Sequence, residues 1–310
     1  MKDSYICVVG GANIDIQGFP YGKLVLHDSN PGQIKISLGG VGRNIAENLT
    51  KLGAKTKLIS VVGTDPYGLK ILEEAESIGL DMKDSLVLKD EATSIYLSML
   101  DESGDMVAAI SYMDINEKLT VDFIKEKMNV IEKSKLCIID TNIPREVIEY
   151  ILMSNNDIDF FLDTVSTAKA KKVKDLIGYF HTIKPNKIEA ELLTGIAIKN
   201  EDDLKIASEY FLQKGVKRVF ISLGEDGVFY NDGHIMNHVR TPKVKVVNAT
   251  GAGDAFMAAL SYGHFYGMSI DEMAKMAMAA SIIAISHENT INPYMSIENI
   301  KSKMKEIELC

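Results

Sequence analysis

The feature that most constrains the fold of this chain is a series of short apolar runs that alternate with helical segments. The runs are rich in Val, Ile and Phe, end in Gly, Asp or Pro, and span residues 5–11, 57–63, 135–140, 159–163, 181–185 and 218–224. Helical periodicity is present in segments 43–53, 67–79, 119–133, 144–155, 186–195 and 202–214, and again in 251–266, 269–287 and 296–308. Short buried runs between helices predict an α/β fold with a doubly wound, mostly parallel sheet and helices on both faces.

Two stretches, residues 14–38 and 92–112, interrupt this alternation. The second contains a "DESGD" turn between two strand-like segments, as a hairpin would, and neither stretch contains a helical crossover. We expect the two stretches to pair into a small β lid inserted in the α/β core of a single domain, residues 1–310. The same lid is a candidate homodimer surface, because exposed sheet edges and apolar faces favour pairing between subunits.

Composition limits the partners of the chain. There are 34 Lys and Arg residues against 43 Asp and Glu residues, and the net charge of −9 argues against nucleic acid and anionic membrane surfaces as partners. Cys7, Cys137 and Cys310 are odd in number and widely spaced, which favours a reducing compartment and no structural zinc. Because the first apolar run is too short for a signal peptide and no apolar run approaches the ~18 residues of a membrane span, we expect a cytoplasmic protein.

The stretch "NATGAGDAF", residues 248–256, combines an anion-binding turn with a carboxylate. Thr250 is a candidate helix N-cap, and the residues from Gly251 to Gly253 have little side chain to shield their backbone N–H groups. Helix N-termini of this kind bind anions. Asp254 then falls in the first turn, where an acidic side chain could simply complement the helix dipole.

Polar residues follow the first apolar run, where ligands of a doubly wound sheet bind. In "GGANID", Asn13 and Asp15 could hydrogen-bond vicinal hydroxyls or form an Asx turn that closes the strand. In "GGVGRNIAENL", three glycines permit close backbone approach to a ligand and Asn44 falls in the first helical turn. This stretch matches neither a dinucleotide fingerprint nor a P-loop, and Arg43 is interpreted as a solvated charge.

Two later stretches also follow apolar runs. In "KPNKIEAE", Asn186 and Glu189 have the spacing of a capping box, or Glu189 could act through water on a magnesium ion while Asn186 contacts phosphate. In "SLGEDGVFY", a tight turn between strands, Ser222, Gly224 and Gly227 could present their backbone to a nucleotide.

Taken together, "GGANID", "GGVGRN", "KPNKIEAE", "SLGEDG" and "TGAGDAF", in this order and across nearly the whole chain, resemble the ribokinase-like (phosphofructokinase-B type) carbohydrate kinases. The resemblance implies an α/β domain with a β lid, ATP and Mg²⁺ as cofactors, and transfer of the γ-phosphoryl group to a sugar hydroxyl. It implies Asp254 as the general base, an anion hole from Gly251, Ala252 and Gly253, substrate contacts from Asn13, Asp15, Gly40, Asn44 and Asn142, and nucleotide and metal contacts from Asn186, Glu189, Ser222, Gly224 and Gly227.

Within this family, residues 27–49 are similar to the pseudouridine kinases, which phosphorylate the 5′-hydroxyl of a C-linked nucleoside. Ser29 and Asn30 are then candidates to meet the uracil edge, although "DSNPG" is also an ordinary turn sequence. Asn248 stands where many members have an Asp that helps hold a monovalent cation. An amide oxygen can coordinate K⁺ but adds no charge, so K⁺ is a less certain cofactor than Mg²⁺.

Two alternatives stay open from the sequence. The first is another ribokinase-like kinase that acts on ribose, adenosine or a ketose. The second, of a different class, is a non-catalytic nucleotide or sugar sensor that kept the fold. The intact Asp254, Gly251 and Gly253 argue against the sensor, because loss of catalysis would remove the need for them.

Overall fold

The structure, a computed structural model, describes residues 4–154 and 157–307. Its strands are β1 (Ile6–Val9), β2 (Asn13–Pro20), β3 (Gly32–Gly39), β4 (Thr56–Ile59), β5 (Val61–Gly63), β6 (Leu86–Leu88), β7 (Ile95–Leu100), β8 (Met106–Tyr112), β9 (Leu136–Asp140), β10 (Asp159–Asp163), β11 (Thr182–Ile183), β12 (Arg218–Ser222), β13 (Val228–Asn231) and β14 (Met236–Val239). Its helices are α1 (Val41–Lys51), α2 (Pro66–Ile78), α3 (Val121–Glu132), α4 (Arg145–Ser154), α5 (Thr167–Ala170), α6 (Lys187–Thr194), α7 (Glu201–Lys214), α8 (Ala252–Phe265), α9 (Ile270–Ile285) and α10 (Ile297–Met304).

The large sheet has the strand order β14-β13-β12-β11-β10-β9-β1-β4. The strands from β4 to β12 in this order run parallel, and β13 and β14 continue the sheet antiparallel at one edge. From β1 the chain adds β4 on one side and later β9 on the other, so the strand order reverses between β1 and β9. A crevice for ligands is expected beyond the carboxyl ends of these two strands.

The core consists of two apolar layers, one on each face of the large sheet. In β1, Ile6 and Val8 point into the layer formed with α1, α2, α8, α9 and α10. Cys7 and Val9 point into the opposite layer with α3, α4, α6 and α7. This alternation follows from the two-residue period of a strand. Cys7 and Cys137 are buried free thiols, and Cys310 lies outside the described residues.

A second sheet of four strands, in the order β3-β2-β7-β8, contains both stretches that interrupt the alternation. Two antiparallel hairpins, β2-β3 and β7-β8, join through a parallel pairing of β2 with β7, in which Ile16 lies opposite Leu97. Because paired residues share a face, Ile36, Ile16, Leu97 and Ile110 form an apolar row across the sheet. We call this sheet the lid; its function as a cover of an active site stays a prediction.

The predicted α/β class and the mostly parallel sheet are confirmed. The prediction of one buried strand over residues 57–63 is wrong. This run splits into β4, which belongs to the large sheet, and β5, which pairs with β6 in a separate sheet. The predicted helices agree with the structure to within two residues at each end, except that the helix predicted over 296–308 ends at Met304. Residues 155 and 308 lie outside the described ranges. In the described parts of the chain, no helix combines the length and the apolarity needed to cross a membrane.

A cluster of Asp159, His181 and His264 lies at the amino ends of β10 and β11, opposite the crevice. His264 contacts Asp159 through Nε2 at 2.8 Å and Arg218 through Nδ1 at 2.9 Å. A guanidinium can only donate, so Nδ1 accepts and Nε2 carries the proton that is donated to Asp159. The lone pair of Nδ1 is therefore used by Arg218, and Nε2 is protonated, so His264 offers no lone pair to a metal ion. We interpret the cluster as a hydrogen-bond network.

Candidate active site

Asp140, at the end of β9, organises the crevice between β1 and β9. Its side chain is fully buried, and Oδ2 accepts hydrogen bonds from the backbone N–H groups of Gly11 at 2.9 Å and Gly42 at 2.7 Å. Oδ1 accepts the N–H of Asn142 at 2.7 Å. Burial raises the pKa of Asp140, while these backbone hydrogen bonds act in the opposite direction. One carboxylate therefore holds the end of β1, the start of α1 and the loop after β9 together.

Helix α1 begins at Gly40 without a hydrogen bond from a capping side chain. Asn44 falls in its first turn, as the sequence predicts, and its Nδ2 donates to Asp254 Oδ2 at 2.8 Å. The interpretation of Arg43 as a solvated charge is wrong. Its side chain is 2% exposed and pairs with Glu47 at 2.6 Å, and its positive charge also acts on the carboxylate of Asp15.

Helix α8 begins at Gly251, which has a left-handed φ of 82° and no hydrogen bond from a capping side chain. The predicted N-cap at Thr250 is therefore wrong by one residue. The Thr250 N–H donates to Asn248 Oδ1 at 2.9 Å, so these two residues form a turn that precedes the helix. Other helices, such as α6 and α9, have side-chain caps. The Ala252 N–H makes a long contact of 3.5 Å with the Ala249 carbonyl oxygen, which an anion would have to displace. Without a side-chain cap, the other N–H groups of the first turn stay available to an anion.

Asp254 lies half-buried in the first turn of α8. Burial, followed by the negative charge of Asp163, raises the pKa of Asp254 to about 7. The hydrogen bond from Asn44 and the positive charge of Lys184 act in the opposite direction, and Asp140 raises it further. A carboxyl group with a pKa near neutrality can take up and release a proton under physiological conditions.

Lys184, the first residue of "KPNKIEAE", lies directly after β11, and the sequence motif does not predict a role for it. It is 7% exposed, and its Nζ lies 3.4 Å from Asp163 Oδ2. Burial alone would lower the pKa of Lys184, but neighbouring carboxylates outweigh burial and raise it. A methyl group built on Gly253 would lie 3.1 Å from Nζ, so the ammonium group is adjacent to the first turn of α8.

The predicted substrate contacts Asn13 and Asp15 lie at the start of β2 and touch each other. Asn13 Nδ2 donates to Asp15 Oδ1 at 2.6 Å. Burial raises the pKa of Asp15, and the bond from Asn13 opposes this effect. A methyl group on Gly39 would lie 2.4 Å from Asp15 Oδ2, so the carboxylate lies against the chain that leads to Gly40. The structure thus places Asn13, Asp15 and Gly40 on the same side of the crevice.

Asn142 and the lid residues are engaged within the protein. Asn142 Oδ1 accepts a hydrogen bond from Lys169 Nζ, which brings α5 to the crevice. Asn30 uses its amide within its own loop, since Oδ1 accepts the Val25 N–H and Nδ2 donates to the Val25 carbonyl, both at 2.8 Å. Ser29 is exposed in the same turn. The turn interpretation accounts for this loop, and contact with a nucleobase stays a prediction.

The capping box at Asn186 and Glu189 is present. Asn186 Oδ1 accepts the Glu189 N–H, and Glu189 Oε2 accepts the Asn186 N–H, both at 2.9 Å. Glu189 is 5% exposed, and its Oε2 also accepts from Thr164 Oγ1 at 2.6 Å. Asn186 forms an isolated bridge with Ser222, the last residue of β12. The start of α6 therefore lies beside the start of the turn that joins β12 to β13.

The turn between β12 and β13 is a short 3₁₀ segment, Gly224–Asp226, followed by Gly227. Gly227 has a φ of 98°, and a methyl group there would lie 2.0 Å from the Val239 carbonyl oxygen. The close approach of β14 is sufficient to explain this glycine. A nucleotide contact at Ser222, Gly224 and Gly227 stays a prediction.

Comparison with known proteins identifies the class. Residues 3–297 match the family described as pfkB family carbohydrate kinase, and the chain belongs to this family. The family prediction made from the sequence is therefore confirmed, and the chain is an ATP-dependent kinase.

Two characterised kinases and one solved structure are similar to this chain over nearly its whole length. The pseudouridine kinase of Escherichia coli (strain K12) is 40% identical over 99% of this chain and 98% of its own length. The guanosine-inosine kinase of Exiguobacterium acetylicum is 30% identical over 94% of this chain and 97% of its own length. The crystal structure of a putative sugar kinase from Clostridium perfringens is 43% identical, with a TM-score of 0.91 and coverage of 100% of this chain and 98% of that chain.

Gly251→Ala should destabilise the protein more than a matched glycine substitution. Gly53 has a similar φ of 86° but nothing within 4 Å of an added methyl group, whereas at Gly251 that group would lie 2.2 Å from the Thr290 carbonyl oxygen. Both variants lose ~1 to 2 kcal/mol from left-handed backbone strain. Gly251→Ala should lose a further ~1 to 3 kcal/mol from overpacking, measured by urea unfolding. Equal losses would contradict a close contact at the start of α8.

Proposed function

We propose that this protein transfers the γ-phosphoryl group of ATP to the 5′-hydroxyl of pseudouridine. The observation that carries the proposal is the pairing of Asp254, whose pKa is about 7, with the uncapped start of α8. A base and an anion-binding backbone in one helical turn suit phosphoryl transfer to a hydroxyl. The choice of pseudouridine is supported by the 40% identity to the E. coli pseudouridine kinase.

In the proposed reaction, an Asp254 carboxylate oxygen takes the proton of the substrate hydroxyl. The hydroxyl oxygen forms a bond to the γ-phosphorus, and the bond from that phosphorus to the oxygen bridging to the β-phosphate breaks. ADP leaves with the electron pair of that bond. The backbone N–H groups of Gly251, Ala252 and Gly253 stabilise the negative charge on the equatorial oxygens of the transferred group.

The sugar is held in the crevice by Asn13, Asp15, Gly40 and Asn44, which lie close to Asp254 or to one another. Asn142 supplies a further polar contact on the side of Lys169. In the lid, Ser29 and Asn30 contact the base, for which Asn30 would have to exchange hydrogen bonds within its loop. Closure of the lid excludes water, which would otherwise accept the phosphoryl group.

Magnesium fits the residues on the nucleotide side. The Glu189 carboxylate is buried beside Thr164, and carboxylate oxygens suit Mg²⁺ held through water. When bound, Mg²⁺ neutralises charge on the phosphates. Asn186 contacts phosphate, while Ser222, Gly224 and Gly227 offer their backbone to the nucleotide. Asn248 is the candidate K⁺ ligand, although its amide oxygen already accepts the Thr250 N–H.

A second candidate function is phosphorylation of another nucleoside or of a sugar such as ribose, adenosine or a ketose. The 30% identity to the guanosine-inosine kinase of Exiguobacterium acetylicum favours a nucleoside over a free sugar. The polar contacts at Asn13, Asp15 and Asn44 would suit the ribosyl part of any of these acceptors. A non-catalytic sensor is less favoured, because it would not need a base with a pKa near neutrality.

A panel of acceptors tests the substrate. With ATP and Mg²⁺, ADP formation should be fastest with pseudouridine, compared with uridine, adenosine, guanosine, inosine, ribose and fructose 6-phosphate. The comparison with uridine is decisive, since the two nucleosides differ in how the base is linked to the ribose. Faster turnover of guanosine or ribose would reject pseudouridine while leaving the role of Asp254 intact.

The pH dependence tests the proposed base. Because Asp254 must be ionised to accept a proton and its pKa is about 7, kcat/KM should fall as the pH drops below 7 and level off above it. Asp254→Asn should reduce kcat by ~100 to 10,000-fold at pH 8. As a control on an exposed carboxylate, Asp202→Asn should match the wild type, because the Asp202 side chain is 84% exposed. Unchanged turnover by Asp254→Asn would show that another group is the base.

We also propose that the apolar face of the lid is covered by the lid of a second copy of the chain. Ile34, Ile36, Leu97, Met99 and Ile110 are all exposed on this face. Side chains in such a contiguous patch favour association. The four-stranded lid sheet leaves an edge at β3 and another at β8, which a second sheet could also protect.

Scattering and sedimentation test this dimer. The wild-type protein should be dimeric at micromolar concentration, and Ile36→Lys combined with Ile110→Lys should make it monomeric. Ile206→Lys, on the exposed face of α7, is the control and should leave the dimer intact. A monomeric wild-type protein would reject the proposal.

A further inference from the structure

Lys184 has donors that its contacts within the protein do not use. Its side chain is 7% exposed, and among residues 4–154 and 157–307 its ion pair is the 3.4 Å contact with Asp163 Oδ2. An ammonium group has three N–H donors. Since one long contact engages at most one of them, a buried charge is left with unused donors.

These donors lie beside the anion hole. Nζ is 3.1 Å from the position that a methyl group on Gly253 would take, and Gly253 is in the first turn of α8. The same turn contains Asp254, whose charge acts on Lys184. The ammonium group is thus placed between the carboxylate of Asp163 and the backbone that we propose binds the transferred phosphoryl group.

The charge balance of the crevice requires a cation on the protein. Asp140, Asp163, Glu189 and Asp254 contribute carboxyl groups there, against the ammonium groups of Lys184 and of Lys169, which donates to Asn142. Backbone N–H groups contribute only partial positive charge. An incoming triphosphate adds further negative charge. Charged donors form shorter and stronger hydrogen bonds with phosphate oxygens than neutral donors do.

We propose that Lys184 is a catalytic residue whose ammonium group contacts the γ-phosphoryl group during transfer, beside the N–H of Gly253. This inference rests on the proposed kinase function of the crevice. The bond changes are those of the proposed reaction, and Lys184 keeps its protons throughout. It stabilises charge that grows on the equatorial oxygens, so it acts mainly on kcat.

The geometry gives Lys184 a second effect, on the base. Its positive charge favours the ionised form of Asp254 and lowers the pKa of that group, against burial and Asp163. Removal of the charge should therefore raise the pKa of Asp254 and move the acid limb of the rate profile to higher pH. A lysine that served only to stabilise the fold would not move this limb.

The test compares Lys184→Met, which keeps the length of the side chain without its charge, with Lys184→Arg, which keeps the charge. Lys184→Met should lower kcat by ~100 to 1,000-fold, change KM for the acceptor little, and shift the acid limb upward. Lys184→Arg should keep the acid limb at its wild-type position. Lys57→Met is the control, because Lys57 pairs with Asp81 and Asp84 at the other end of the sheet and should keep wild-type kinetics.

Equilibrium binding supplies a readout other than turnover. With Mg²⁺ and acceptor present, ADP with aluminium fluoride, a mimic of the transferring group, should bind Lys184→Met ~100-fold more weakly than wild type, while ADP alone should bind equally well. Equal binding of the mimic, together with wild-type kcat and an unmoved acid limb, would overturn the proposal. If Lys184→Met does not fold, wild-type kcat in Lys184→Gln would overturn it in the same way.

Failure of this inference is distinguishable from failure of the proposed function. The assays use the acceptor that the wild-type protein turns over fastest in the panel. If that acceptor is not pseudouridine, the substrate proposal fails and the Lys184 comparison is still decisive. If pseudouridine is turned over and Lys184→Met matches the wild type, only the role of Lys184 fails.

Discussion

The crevice depends on the Asp140 carboxylate, which accepts backbone N–H groups from Gly11, Gly42 and Asn142. Gly11 and Asp140 are 129 positions apart in the sequence, so this contact fixes the first strand against the strand that the chain adds on its other side. Burial of the carboxylate is unfavourable unless such bonds compensate it. Because α1 starts at one of these bonds, the orientation of Asn44, and through it that of Asp254, follows from Asp140.

The ionisation states of Asp163, Lys184 and Asp254 depend on one another. Asp163 raises the pKa of Asp254 and also compensates the charge of Lys184. A single buried lysine or aspartate at this position would shift toward its neutral form. As a set, the lysine stays charged while Asp254 titrates near neutrality, and the reaction that we propose uses both properties: a base that can take a proton and a cation beside an anion.

The parts of the structure that follow from local sequence could be predicted, and those that depend on distant contacts could not. The six buried runs and the segment around Asp254 have local signals in strand length and glycine spacing. Asp140 and Asp163 occur within ordinary strand ends, and only the parallel register of β9 with β10 places them side by side. The burial of Arg43 does not follow from the local sequence, because its partner Glu47 becomes buried only when α1 packs on the sheet. The start of α8 depends on contact with Thr290, 39 residues further along the chain, which local sequence does not contain.

The parallel pairing of β2 with β7 has a consequence for how the protein folds. The residues that pair, from Ile14 with Ile95 to Gly18 with Met99, are separated by 81 positions, and the intervening chain contributes β4 to the large sheet. Loop closure of this length costs entropy before any pairing energy is gained. We therefore expect the lid sheet to assemble after the core that brings its hairpins together, and to exchange its amide hydrogens through local opening while the core stays intact.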